Sequence, residues 1–148
     1  MIVEQTYNSG LIMDVLLDDS ILNSITEDGA VIDDLYPDVF KEWWLSIISD
    51  NKVIGVCCIH VKTSLSCVGH IHILKEHRKE YSKSAGFKIL EWVKRNTPFK
   101  QLITEVPVIY PNVINYLKEF EFNEVGVISG AFKKNQKAHD LMILSRGL

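Results

Sequence analysis

The chain has 148 residues, 47% hydrophobic and 24% charged, a balance that fits one folded domain over residues 1–148 and excludes a disordered chain. No apolar run approaches the roughly 18 residues of a membrane span, and the opening MIVEQTYNSG lacks the basic-then-apolar order of a secretory signal. The net charge of −3 is unevenly divided: residues 1–40 hold nine acids and no Lys or Arg, and the rest holds all 16 basic residues against ten acids. The acidic front is either a solvated surface that draws the chain halves together or a face for a cationic partner. Nucleic acid is disfavoured, because the total is acidic and aromatic and basic residues are not interleaved. Cys57, Cys58 and Cys67 are odd in number and lack metal-ligand spacing. They read as buried reduced thiols in a cytoplasmic protein.

Along the chain, Ile2 to Thr6 predicts a short strand. Leu11, Ile12, Val15 and Leu16 recur at helical spacing within Gly10 to Leu17, and Asp19-Ser20 opens a second short helix that reaches Ile25. Ala30 to Phe40 is mixed, with Pro37 as a breaker. Trp43 to Ser49 and Val53 to Val61 predict a hairpin around Asp50-Asn51-Lys52, with Trp43 and Trp44 on opposite faces. One tryptophan belongs to the core; the other walls an acceptor site or an interface. Cys67 to Leu74 predicts a third strand whose alternation puts His70 and His72 on one face.

The stretch HRKEYSKSAG, His77 to Gly86, then reads as a basic turn. Ser82 or Ser84 would cap a helix carrying Ala85, Ile89, Trp92 and Val93 on one side and ending near Asn96-Thr97-Pro98. Gln101 to Val108 predicts a strand and Pro111 to Phe120 a helix with proline in its first turn. Val125 to Phe132 and Leu141 to Leu144 predict closing strands joined by the polar segment Lys133 to Asp140. The order β-α-α-β-β-β-α-β-α-β-β gives an α/β (α+β) domain with a mixed sheet and helices on both faces.

HIHILKEHRKEYSKSAGFKILEWV and VINYLKEFEFNEVG resemble the cofactor segment and the later helix of the GNAT superfamily of acyl-CoA-dependent N-acyltransferases. The resemblance implies a mostly antiparallel central sheet splayed into a cleft, with acetyl-CoA as co-substrate and an amine as acceptor. It implies that the backbone of Ile71, Ile73 and Leu74 meets the pantetheine arm. A helix start attracts a pyrophosphate, and the implied contacts are Arg78, Lys79, Ser82, Lys83 and Ser84. The departures from the family pattern are specific. Glu80 stands where a glycine lets phosphate approach the backbone, Lys75 replaces a frequent proline, and Glu121 replaces the glycine of Gly-Phe.

Acyl transfer to an amine needs a base for the ammonium and an acid for the departing thiolate. The family's tyrosine acid falls one residue from Tyr116, so Tyr116 is either that acid or packing; Tyr110 is a weaker substitute. His70 and His72 are base candidates, or two satisfied histidines under a helix. Glu105, on the strand after the cofactor helix, is the other base candidate. No metal is expected, because an alternating histidine pair without a third ligand is thin. Ser64, Ser66 and Cys67 lack a nucleophile motif. The competing reading is a non-catalytic GNAT-fold assembly or interaction protein with a protein partner, which also resembles compact head-assembly proteins of short-tailed phages.

Overall fold

The computed structural model describes residues 1–148. Seven strands form one sheet in the order β1-β2-β3-β4-β5-β7-β6. They are β1 (Ile2–Gln5), β2 (Trp43–Ser49), β3 (Lys52–Val61), β4 (Ser66–Ile73), β5 (Gln101–Pro107), β6 (Asn123–Lys134) and β7 (Lys137–Gly147). The helices are α1 (Ser9–Leu16), α2 (Asp19–Ile25), α3 (Lys75–Asn96) and α4 (Pro111–Glu119), with a short 3₁₀ turn at Ile32–Leu35. Every neighbouring pair is antiparallel except β4 with β5. This is the mixed sheet that the element order predicts, and the mostly antiparallel one that the GNAT resemblance implies.

Alternation along the strands assigns the two faces. Leu45, Ile47, Cys57, Ile59, Cys67 and Ile73 pack with Ala85, Ile89 and Val93 of α3 and Ile114 and Leu117 of α4. Trp44, Val56 and Cys58 pack on the other face with Ile12, Val15 and Leu16 of α1 and Ile21 of α2. A bulge keeps both sets in register: Ile47 pairs with Gly55 and Ile48 with Val53, so Ile54 is the extra residue and turns into the α3–α4 core. Gly55 is required there, since a Cβ would stand 2.4 Å from the His72 carbonyl oxygen. Trp43 packs edge-on against Phe99 with ring centroids 5.7 Å apart, whereas Trp44 is buried on the opposite face and donates its indole N–H to Glu42 Oε2 at 2.9 Å.

Local chemistry sets the element ends. Asn8 Oδ1 accepts the Leu11 N–H at 3.0 Å to start α1, and Asp18 Oδ1 accepts the Ser20 N–H at 2.9 Å to start α2. The β2–β3 turn has Asp50 and Asn51 at φ 50° and 60°, the two positive values that a two-residue hairpin needs. Glu121 holds φ 63°, so the chain keeps the left-handed conformation at that position with a glutamate in place of a glycine. Arg146 steadies the corner by donating from Nη1 to the Phe120 carbonyl at 2.6 Å.

Two predicted boundaries are corrected. The stretch His77 to Gly86 is helix, not turn: α3 begins at Lys75 directly after Leu74, so neither Ser82 nor Ser84 is a cap. The stretch from Lys75 to Ala85 contains no glycine or proline and is built of residues with good or neutral helix propensity. The segment Lys133 to Asp140 is a strand hairpin rather than a polar link. Lys133 pairs with Ala138 and Lys134 with Lys137, around Asn135 and Gln136 at φ 53° and 63°. Ladder hydrogen bonds carry those polar residues, whatever their side chains.

Candidate functional site

Strands β4 and β5 pair in parallel only from Ser66–Val68 to Gln101–Ile103 and then part. From Gly69 to Ile73 the β4 edge facing β5 has no strand partner, and the Ile73 carbonyl at its end is taken by Arg78. A cleft of about 1120 Å³ occupies it, lined from one face by Ser82, Gly86 and Tyr116 and from the other by Glu42, Trp44 and Cys58.

On the α3–α4 side the walls are tied together. The Tyr116 hydroxyl donates to the Ser82 carbonyl at 2.7 Å, and its ring packs edge-on to Phe120 at 4.8 Å between centroids. A Cβ on Gly86 would stand 2.4 Å from Phe120 Cζ and 2.7 Å from the Tyr116 hydroxyl, so glycine is what lets the two helices approach. Burial, with smaller effects from Cys57 and Glu119, raises the Tyr116 phenol well above its usual value and keeps it protonated. Tyr110 also lines the cleft, and burial raises its phenol too.

The basic residues expected at a phosphate are largely engaged within the chain. Arg78 Nε donates to the Ile73 carbonyl at 2.7 Å and Nη2 to the Ser20 carbonyl at 3.0 Å, joining the end of β4 to α2. Lys83 pairs with Glu119 at 3.6 Å. Ser84 Oγ donates to the Tyr81 carbonyl at 3.0 Å inside the helix, and Lys79 is exposed. Because α3 starts at Lys75, its unpaired N–H groups belong to the turn beginning there, and those of Ser82 to Ser84 lie within the helix. Ile71 and Ile73 turn their side chains into the α3–α4 core, and the Leu74 N–H donates to the Ile54 carbonyl at 2.9 Å.

The α1–α2 side is the titratable side. His70 and His72 both line the cleft and alternate with Ile71 and Ile73, which face the other core. Burial lowers the His72 imidazolium to about 3, with His70 and Arg78 adding repulsion. Burial and His60 lower that of His70, while Glu105 and Glu42 oppose the shift. Glu105 is exposed on β5 and lines the same cleft. With Glu27, Asp34 and Glu42 it makes four carboxylates, against Arg78 as the one Lys or Arg in the lining.

The thiols are not nucleophiles. Burial pushes Cys57 up to about 12 and Cys67 up to about 11, so both remain protonated at neutral pH. Sequence reasoning missed a further grouping. Glu42, Cys58 and His60 bring their donor atoms within 4.8 Å of one another, and the His60 ring stacks on His70 at 5.7 Å. Its signal is the hairpin register, because Cys58 and His60 share one face of β3 and His70 lies directly opposite Cys58.

The acidic front segment joins the chain halves, one of the two roles its charge suggests. Asp28 accepts the backbone N–H groups of Asn135 and Gln136, and Glu27 Oε1 accepts that of Lys133. These bonds lower the Asp28 carboxyl below its usual value.

No protein-family model and no curated protein matches the chain. Among solved structures, a spermidine N-acetyltransferase from Vibrio cholerae in complex with CoA and spermine aligns at TM-score 0.82 and 17% identity, over 99% of this chain and 94% of that one. A ribosomal-protein-alanine N-acetyltransferase from Brucella melitensis aligns at TM-score 0.79 and 12% identity over the whole of both chains. The smu.2055 protein of Streptococcus mutans aligns at 0.77 and 14%, over 99% of both. The chain shares its fold with these proteins, two of them named as N-acetyltransferases, and the fold expected from the GNAT resemblance is met.

Proposed function

We propose that this GNAT-fold chain is an acetyl-CoA-dependent N-acetyltransferase whose acceptor is a cationic amine, on a small molecule or a protein. The observation that carries the reading is the composition of the splayed cleft. One side holds a protonated phenol beside the unpaired β4 edge; the other holds four carboxylates and two histidines kept neutral. The relatives of like fold include enzymes named for spermidine and for a protein alanine, both amines.

In this reading the β4 backbone at Ile71 and Ile73 holds the pantetheine arm, whereas Leu74, whose N–H and carbonyl are bonded to Ile54 and His77, only borders it. The start of α3, with Arg78, Lys79, Ser82, Lys83 and Ser84, lies along the phosphates. The carboxylates draw in an ammonium. Glu105 or His70, directly or through water, takes its proton; His72, titrating near 3, is too weak a base to hold one at neutral pH. The freed amine forms the new C–N bond at the thioester carbon as the C–S bond breaks. Tyr116, turned from the Ser82 carbonyl, delivers its proton to the departing thiolate, and the proton that the acylated nitrogen gives up restores the phenol. The missing glycine-rich turn and the engagement of Arg78 and Lys83 support the alternative, a non-catalytic assembly protein of phage-like type.

Calorimetry with acetyl-CoA separates the two. Binding at micromolar concentration is expected, and Arg78→Ala should weaken it about ten- to a hundredfold, the worth of one charge-assisted hydrogen bond. Absence of binding at millimolar acetyl-CoA overturns the enzyme reading.

A further inference from the structure

We propose that Glu42, Cys58 and His60 form a binding site for a divalent transition metal of the zinc class on the α1–α2 wall of the cleft. The donor atoms, one oxygen, one sulfur and one ring nitrogen, lie within 4.8 Å of one another. A tetrahedral zinc holds such donors about 3.3–3.6 Å apart, given metal–ligand lengths of about 2.0–2.3 Å. Closure therefore asks the donors to draw in by roughly 1–1.5 Å.

The sheet fixes two donors on β3 and places the third just before the adjacent β2. Cys58 and His60 alternate on β3, and Glu42 immediately precedes Trp43, which pairs with Ile59 between them. The carboxylate is already oriented, because the Trp44 indole N–H holds Glu42 Oε2 at 2.9 Å. That is the outer contact that ligating carboxylates characteristically make. His70 flanks the set, stacked on His60 and directly opposite Cys58. Three protein donors leave one position for water or a ligand in the cleft.

The donor chemistry selects the metal. Thiolate with imidazole favours zinc, cobalt or nickel over magnesium or calcium, which seek oxygen alone. Burial and the Glu42 carboxylate both push the Cys58 thiol far up, so without a cation it stays protonated. A divalent ion reverses that sign. Binding forms the metal–sulfur bond and releases the thiol proton to solvent, so affinity should rise about tenfold per pH unit around neutrality.

The site does not depend on acetyl transfer, and its test needs no activity. The full chain, fully reduced, is titrated with cobalt(II) and followed by visible absorption for a thiolate-to-metal charge-transfer band. Saturation at one equivalent is expected, with displacement by zinc and none by magnesium. Cys58→Ser should abolish the band, and His60→Gln should weaken binding at least tenfold. Cys67→Ala, which lies on the α3–α4 face, should leave the band intact. Circular dichroism confirms that each variant is folded; should Cys58→Ser fail that check, the His60→Gln comparison decides alone. Lack of a saturable band in the wild type, a band that survives in folded Cys58→Ser, or unchanged affinity in His60→Gln overturns the proposal.

Discussion

On the α3–α4 side the cleft is bounded by groups that have already satisfied one another, Tyr116 on the Ser82 carbonyl and Gly86 beneath Phe120, with Lys83 paired to Glu119 on the outer surface nearby. On the α1–α2 side it is bounded by Glu42, Cys58, His60, His70 and His72, and burial with neighbouring charges shifts the Cys58 thiol up and the His70 and His72 imidazoliums down. The first wall gains rigidity at the expense of free donors. The second keeps chemical potential in place, since desolvated groups respond strongly to any charge brought near them. A ligand arriving at the first wall meets shape; one arriving at the second meets titratable chemistry.

The largest test of that contrast is steric. Gly86→Leu would drive a side chain into the Phe120 ring, which is only 2% exposed and also packs against Phe87. Overpacking of this kind costs about 3 kcal/mol. Urea unfolding should show the loss as a lower midpoint, and acetyl-CoA binding should fail together with stability. A Gly86→Leu protein of wild-type stability would mean that the wall is soft and the contrast wrong.

Much of this arrangement was legible in the sequence, and the failures have physical causes. Strand alternation placed Trp43 and Trp44 on opposite faces and His70 and His72 on one face, because a two-residue period survives any tertiary context. The splay of β4 from β5 followed from the family resemblance of the segment between them. The start of α3 was misjudged because clustered charge reads as a turn, although Arg78, Lys79, Glu80 and Lys83 are also good helix residues. The grouping of Glu42 with Cys58 and His60 was invisible for another reason. It arises from the register of β2 on β3, which the turn sets but the bulge at Ile54 shifts by one residue, so counting from the turn alone pairs the wrong residues. Departures from a motif also proved unequal: Glu121 keeps the left-handed backbone of the glycine it replaces, whereas the segment around Glu80 adopts a different structure altogether.

A second test titrates the other wall. Folded His72 stays neutral down to about pH 3, whereas in the unfolded chain it takes a proton near 6.5. Between those values the unfolded state binds more protons, so stability falls as the pH drops from 6.5 towards 3 and is flat above 6.5. The slope approaches about 1.4 kcal/mol per pH unit. His72→Gln, unfolded in urea with a chelator present, should lose that part of the slope while its stability at pH 8 changes much less. Parallel pH profiles for the two proteins would show that His72 is solvated and that the wall is not the desolvated surface described here.

The smallest effect separates a ligand group from a structural one on the first wall. Lys83 and Glu119 are 71% and 58% exposed in their side chains at 3.6 Å, so their pairing contributes less than about 1 kcal/mol to stability. Lys83→Ala should therefore leave the urea midpoint where it is. If the ammonium lies along the phosphates, acetyl-CoA affinity should still fall about two- to threefold at low salt, the worth of one screened surface charge. That loss should vanish as added salt shortens the Debye length. Lys88→Ala, further along the exposed face of α3, is the control and should change neither quantity. Equal losses for both lysines would mean that acetyl-CoA senses only the overall positive charge of the helix. A loss confined to Lys83→Ala would place the phosphates within one turn of Ser82 despite the engagement of its neighbours.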